Sequence, residues 1–219
     1  MSQYLQPTFP DFGTPRNAIK ILSRDEADRF LAGARLGLER DFVMCELALF
    51  TGLRCAELVG LNIEHVAPYG VITPTLTVTA DIAKGHNARE IPLNAQLRLD
   101  IEHYLDISAP GPREDLGWRA LFISRKTGRR LSTRDFQRIT RKLGCDILGH
   151  PVNPHMLRHT FATGLLRHSN TSVVQNLLGH SSLQSTQIYL HPGLDEMAAA
   201  IDQLSTSAPP SPQQGGSTC

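Results

Sequence analysis

Tyr189 closes an ordered series of cationic side chains. Arg54 ends the run Thr51-Gly52-Leu53-Arg54, and Lys84 lies in Ala83-Lys84-Gly85. His155 and Arg158 stand three apart in His155-Met156-Leu157-Arg158-His159, and His180 follows in Leu178-Gly179-His180. This is a phenol with two guanidiniums, an ammonium and two imidazoles. No carboxylate pair, reactive cysteine pattern or phosphate-cradling glycine loop accompanies them. The set suits attack on a phosphodiester without a metal. A phenol is a poor nucleophile at neutral pH, since its ordinary pKa is about 10. It needs a base and cationic neighbours at the moment of attack. Guanidinium forks match two phosphate oxygens in a way that lysine does not reproduce. Histidine and lysine move protons.

The elements that must position these groups are legible from local signals. Ser23-Arg24-Asp25-Glu26 is a capping box, and Leu22 ahead of it is placed to staple the first turn. A helix to about Leu36 follows, with Ala27, Phe30, Leu31 and Ala34 on one face. Phe42 to Phe50 is an apolar run of helical length, stopped by Gly52. Arg54 opens another short helix, which Glu57 serves to orient. Val71 to Thr79 is β-branched and alternating, and Arg89 to Leu93 is a second strand, so Lys84 falls on or near a hairpin. Asn94 caps a helix carrying Leu97, Ile101, Tyr104 and Leu105. Ala109 to Gly117 is a Pro/Gly loop and Leu121 to Ile123 a short buried piece.

Ser132 or Thr133 caps a helix with Phe136, Ile139, Thr140 and Leu143. Pro154 suits the first turn of a helix to about Arg167, on which His155 and Arg158 share a face. Thr171 to Leu178 is a helix ended by Gly179, and the next helix carries Tyr189. A last helical segment runs from Leu194 to Leu204. The fold class is mainly α with a small antiparallel β-sheet.

At 219 residues with 41% hydrophobic content the chain has material for one large core or two small ones. No apolar run approaches the roughly 20 residues of a membrane span, and no secretory signal is visible. The scattered Cys45, Cys55, Cys145 and Cys219 suit reduced thiols in a cytoplasmic protein. A net charge of +1 announces no nucleic-acid binder by itself, but the distribution does more. Arg125, Lys126, Arg129, Arg130, Arg134, Arg138 and Arg141 crowd the stretch from Arg119 to Lys142, opposed only by Asp135. Such a surface suits phosphates, and a solvated helix face with a charged turn is the plainer reading. His155 and His159 have the spacing of an H-E-x-x-H zinc site. Met156 stands where the general-base Glu belongs, so no metal and no cofactor are expected.

The order and spacing resemble the tyrosine recombinase family of phage-type integrases, from about Ile21 to Leu204. The stretches that carry this are Thr51 to Leu58, Lys84-Gly85 ahead of Arg89-Glu90-Ile91-Pro92-Leu93, His155 to His159, and Leu178 to Ser182 through Gln187-Ile188-Tyr189. The resemblance implies the DNA breaking-rejoining fold and site-specific recombination through a 3′-phosphotyrosine intermediate. It makes Arg54, Lys84, His155, Arg158, His180 and Tyr189 the catalytic set. Lys84 becomes the general acid for the 5′-hydroxyl, and His180 donates to the scissile phosphate. It implies double-stranded DNA as partner and a homotetramer on synapsed sites, with Leu194 to Leu204 docking into a neighbour. The domain expectation is an arm or linker over 1–20, a catalytic domain over 21–204 and a disordered tail over 205–219. About 20 Pro-rich residues precede Ile21, too few for the core-binding domain that family members generally carry, so the expectation is either a piece of a longer protein or a minimal recombinase. Relaxation of the type IB topoisomerase kind shares this chemistry without synapsis. A DNA-binding regulator of a recombination site shares the fold without catalysis.

Overall fold

The computed structural model of the chain describes residues 20–83, 85, 87–109, 118–167, 169 and 171–179. Seven α-helices and one two-stranded antiparallel sheet are found among the described residues. Helix α1 spans Arg24–Arg35, and its capping box is formed: Glu26 N–H donates to the Ser23 hydroxyl while the Ser23 N–H donates to Glu26. Leu22 is buried as expected, and its N–H donates to the Thr160 hydroxyl at 2.9 Å.

Helix α2, Glu39–Thr51, is the centre of the molecule. Every residue from Phe42 to Leu49 is buried, the signature of a helix wrapped on all sides. It packs against α1, α4 and α6. It begins at Glu39 rather than Phe42, because Glu39, Arg40 and Asp41 form its first turn without contributing an apolar signal. Gly52 ends it at φ 62°. A Cβ there would lie 2.3 Å from the Phe161 ring, so glycine meets both a backbone and a packing demand.

Helix α3, Cys55–Gly60, leads through a 3-10 turn at Ile63–His65 to β1, Thr75–Val78. The strand is shorter than the alternating run that announces it. Upstream, the Thr73 N–H and hydroxyl both turn back to the Val66 carbonyl. Strand β2, Arg89–Pro92, pairs antiparallel with β1, Thr75 opposite Pro92 and Val78 opposite Arg89. Leu76, Val78 and Ile91 face the core.

Helix α4, Ala95–Ser108, is capped by Asn94, and the Tyr104 hydroxyl on it donates to the Leu121 carbonyl at 3.0 Å. Helix α5, Thr133–Leu148, opens with a Ser132–Asp135 capping box. Helix α6, Pro154–Leu166, has Pro154 in its first turn and the Asn153 side chain accepting from Met156 N–H. Helix α7, Thr171–Leu178, packs on α6 through Ala162, Val174 and Leu178. Among the described residues no helix is long and apolar enough to cross a membrane.

Candidate active site

Arg54 precedes the first residue of α3 in extended backbone, where its own N–H donates to Glu57 Oε2 at 2.9 Å. That local bond fixes the side chain's starting direction. Its Nη1 donates to Glu57 Oε1 at 3.1 Å and to the Leu178 carbonyl at 3.3 Å. Its Nη2 donates to the Gly179 carbonyl at 3.4 Å. The side chain keeps 23% exposure, so the guanidinium is held and still reachable.

Arg158 comes from the other side of the pocket, on α6, and is buried. Its Nη1 donates to the Gly52 carbonyl at 2.5 Å and its Nη2 to the Leu178 carbonyl at 2.9 Å. Both arginines predicted to hold phosphate therefore meet at the C-terminal end of α7. The last carbonyls of a helix have no partner within it and carry partial negative charge, which suits guanidinium donors. Gly179 sits there at φ 61°, and a Cβ on it would come within 3.0 Å of Arg89.

Glu57 is the carboxylate of this pocket, with a side chain only 1% exposed. Burial alone pushes its pKa up. Hydrogen bonds from Arg89 and from the Arg54 N–H, with the charges of both guanidiniums, outweigh that and bring it down to about 2. Arg89 is the residue that sequence reasoning missed as part of the site, taking it as the start of a strand and of one stretch that carries the family resemblance. It donates from Nη1 and Nη2 to the two Glu57 oxygens at 3.2 and 2.7 Å, and from Nε to the Leu177 carbonyl at 2.9 Å.

His155 is exposed, one turn ahead of Arg158 on the same helix, as the spacing predicts. Its ring lies 6.4 Å from that of His159. Burial lowers the pKa of His159, and the charges of His155 and Arg158 lower it further. The shift favours the neutral form of His159. Lys84, His180 and Tyr189 lie outside the described residues, as do the segment Leu194 to Leu204, the tail 205–219 and all but Lys20 of the expected arm.

The basic surface divides in two. Arg125, Lys126 and Arg129 are exposed on the turn closed by the Ile123–Arg130 bridge. Arg134, Arg138 and Arg141 line, with Gln137, an open groove of about 290 Å³ along α5. Arg138 is also paired with Asp135 at 2.7 Å. Arg130 points its donors inward: Nη1 reaches the Val59 and Leu61 carbonyls at 2.9 and 2.8 Å, and Nη2 reaches Asn62. It closes the C-terminal end of α3, a task its sequence context did not announce.

Residues 20–195 match the model of the phage integrase family. The chain is 36% identical over 199 residues to the tyrosine recombinase XerC of Azotobacter vinelandii, an alignment covering 86% of this chain and 61% of that protein. It is 36% identical over 198 residues to XerC of Pseudomonas aeruginosa strain LESB58, covering 87% and 61%. The chain thus spans about three fifths of the length of these curated relatives. Among solved structures, the XerA recombinase superposes with a TM-score of 0.70 at 29% identity, over 87% of this chain and 66% of that one. The XerH site-specific recombinase bound to its difH substrate gives a TM-score of 0.66 at 22% identity, over 87% and 56%, a likeness of fold.

Proposed function

The chain belongs to the phage integrase family, and from that premise we propose that it cuts and rejoins DNA as a site-specific tyrosine recombinase. The observation that carries the proposal is the meeting of Arg54 and Arg158 at one carbonyl, with exposed His155 one helical turn ahead of Arg158. Two guanidiniums held in a partly buried pocket form a preorganised site for an anion whose charge grows as it reacts.

In this reading the Tyr189 Oη attacks the scissile phosphorus, forming a P–O bond as the P–O5′ bond breaks. His155 takes the phenolic proton. Lys84 gives a proton to the departing 5′ oxygen. Arg54, Arg158 and His180 stabilise the non-bridging oxygens. The phosphotyrosine bond retains the energy of the broken linkage, so a second 5′-hydroxyl rejoins the strand by the reverse steps without a nucleotide cofactor. The partner is double-stranded DNA in the cytoplasm. The exposed arginines Arg125, Arg129, Arg134, Arg138 and Arg141, with Lys126, lie along its backbone. Arg130 donates into the protein instead. Four protomers act on two synapsed duplexes, joined through Leu194 to Leu204.

The deciding experiment is an SDS-resistant protein–DNA adduct on nicked duplexes drawn from DNA flanking the gene, with EDTA present. Adduct formed by the wild type and lost in Tyr189→Phe, with DNA binding retained, supports tyrosine transesterification. Adduct that forms only when EDTA is left out, or that survives in Tyr189→Phe, overturns it. Recombinant joints, as opposed to relaxation alone, separate recombination from a topoisomerase.

A further inference from the structure

Glu57 sits between two guanidiniums, and the sharing is unequal. Arg89 takes both carboxylate oxygens in a fork, whereas Arg54 reaches only Oε1 through its side chain. A bidentate arginine–carboxylate pair is the stronger arrangement. Were Arg89 absent, the fork geometry would become open to Arg54, three residues away on the same turn and already in contact. Arg54 would then close onto Glu57 and withdraw from the mouth of the pocket. Arg89 also fixes the Leu177 carbonyl, one residue ahead of the carbonyl that Arg54 and Arg158 share. Its side chain is 9% exposed and lies on β2, which begins five residues after Lys84 in sequence.

We infer that Arg89 is a positioning residue for transesterification. By occupying Glu57 in a bidentate pair and anchoring the last turn of α7, it keeps the Arg54 guanidinium on a single Glu57 oxygen and turned toward the phosphate. This rests on the recombinase reading given above. It differs from a purely structural ion pair in one respect: the effect of Arg89 passes through Arg54. Lysine at this position supplies charge but no fork and no third donor aimed at Leu177.

The test combines cleavage kinetics with arginine side-chain ¹⁵N NMR of the whole chain. Arg89→Gln should slow adduct formation by about 10²-fold, the scale for a misplaced group at a reacting centre. DNA affinity should change by less than about threefold, and in an Arg54→Lys background Arg89→Gln should add less than about threefold more. The Arg54 guanidinium resonance should shift in Arg89→Gln without DNA. Losses that multiply across the two sites, or an Arg54 resonance that does not move, overturn the inference. If the wild type forms no adduct on a cognate site, the recombinase reading falls, and the Arg54 resonance still decides the role of Arg89. Arg89→Lys, which keeps a charge beside Glu57, carries the same readings should the Gln variant fail to fold.

Discussion

Arg54 and Arg158 donate to the same atom. The Leu178 carbonyl oxygen accepts from Arg54 Nη1 at 3.3 Å and from Arg158 Nη2 at 2.9 Å. The two are not equivalent around it. Arg158 is 5% exposed and also closes on the Gly52 carbonyl, whereas Arg54 keeps an open side. Replacing each by lysine should therefore separate chemistry from stability. Both variants should cleave DNA about 10²–10³-fold more slowly. Arg158→Lys should in addition lose stability, by about 1–3 kcal/mol for the Gly52 carbonyl left without its side-chain donor, while the Leu178 carbonyl keeps Arg54. Arg54→Lys should unfold nearly as the wild type does. Single-turnover cleavage and urea midpoints on the two variants check this, and equal destabilisation would sink it.

The helices were legible in the sequence because their signals are local. The Ser23–Glu26 and Ser132–Asp135 boxes, the Asn94 cap and Pro154 each act within one turn of the residue that announces them. His155 and Arg158 followed from helical spacing alone. What was not legible depends on partners distant in sequence. Val71 to Thr79 has strand composition throughout, yet only Thr75–Val78 finds a partner strand. Arg89 read as the start of a strand and Arg130 as part of a basic surface, and both direct donors to acceptors that sequence does not juxtapose.

Gly52 gives a second prediction. Alanine there must adopt φ 62° and push its Cβ against Phe161. Strain and overpacking together should cost about 2–4 kcal/mol. Because the Gly52 carbonyl holds Arg158, cleavage by the folded fraction should fall too. Urea denaturation with active-fraction titration measures both, and a Gly52→Ala variant as stable as wild type would refute the argument.

The basic surface predicts opposite outcomes for neighbouring arginines. Arg134→Gln and Arg141→Gln should each weaken DNA binding and flatten its salt dependence, by roughly one unit of log–log slope for each phosphate no longer neutralised. Neither should alter stability, since both residues are exposed on α5. Arg130→Gln should instead destabilise the fold, having removed the side-chain donor to the Val59 carbonyl and one of the two donors to the Leu61 carbonyl, which keeps the Leu121 N–H. Fluorescence anisotropy over a salt series, beside thermal melts, distinguishes the two behaviours.

Glu46 predicts a pH dependence. It is buried on α2, and burial first, then the neighbouring Asp100 carboxylate, raises its pKa from 4.5 to about 8. Arg35, which pairs with Asp100 at 2.7 Å, opposes that rise, and Glu39 adds to it. A carboxyl whose pKa is higher folded than unfolded favours folding fully below its unfolded value. That contribution is lost as pH rises through the folded one. Stability from this group should therefore decline between pH 4.5 and about 8, and Glu46→Gln should remove the decline. Denaturation midpoints across that window test the sign. Glu57 works the other way, its contribution present above 4.5 and lost as pH falls through about 2.

The pocket also has a birth order. Arg54 meets the Leu178 carbonyl across a separation of 124 positions, and Arg158 meets Gly52 across 106. Contacts so remote in sequence form late, after the loops between them have closed. On a ribosome the N-terminal parts emerge first, so Arg54 and Glu57 exist long before the α7 carbonyl that gathers both arginines. A nascent chain that has not reached Leu178 cannot bring Arg54 and Arg158 to their shared carbonyl. The proposed phosphate site is thus completed late, by the last of its parts to emerge.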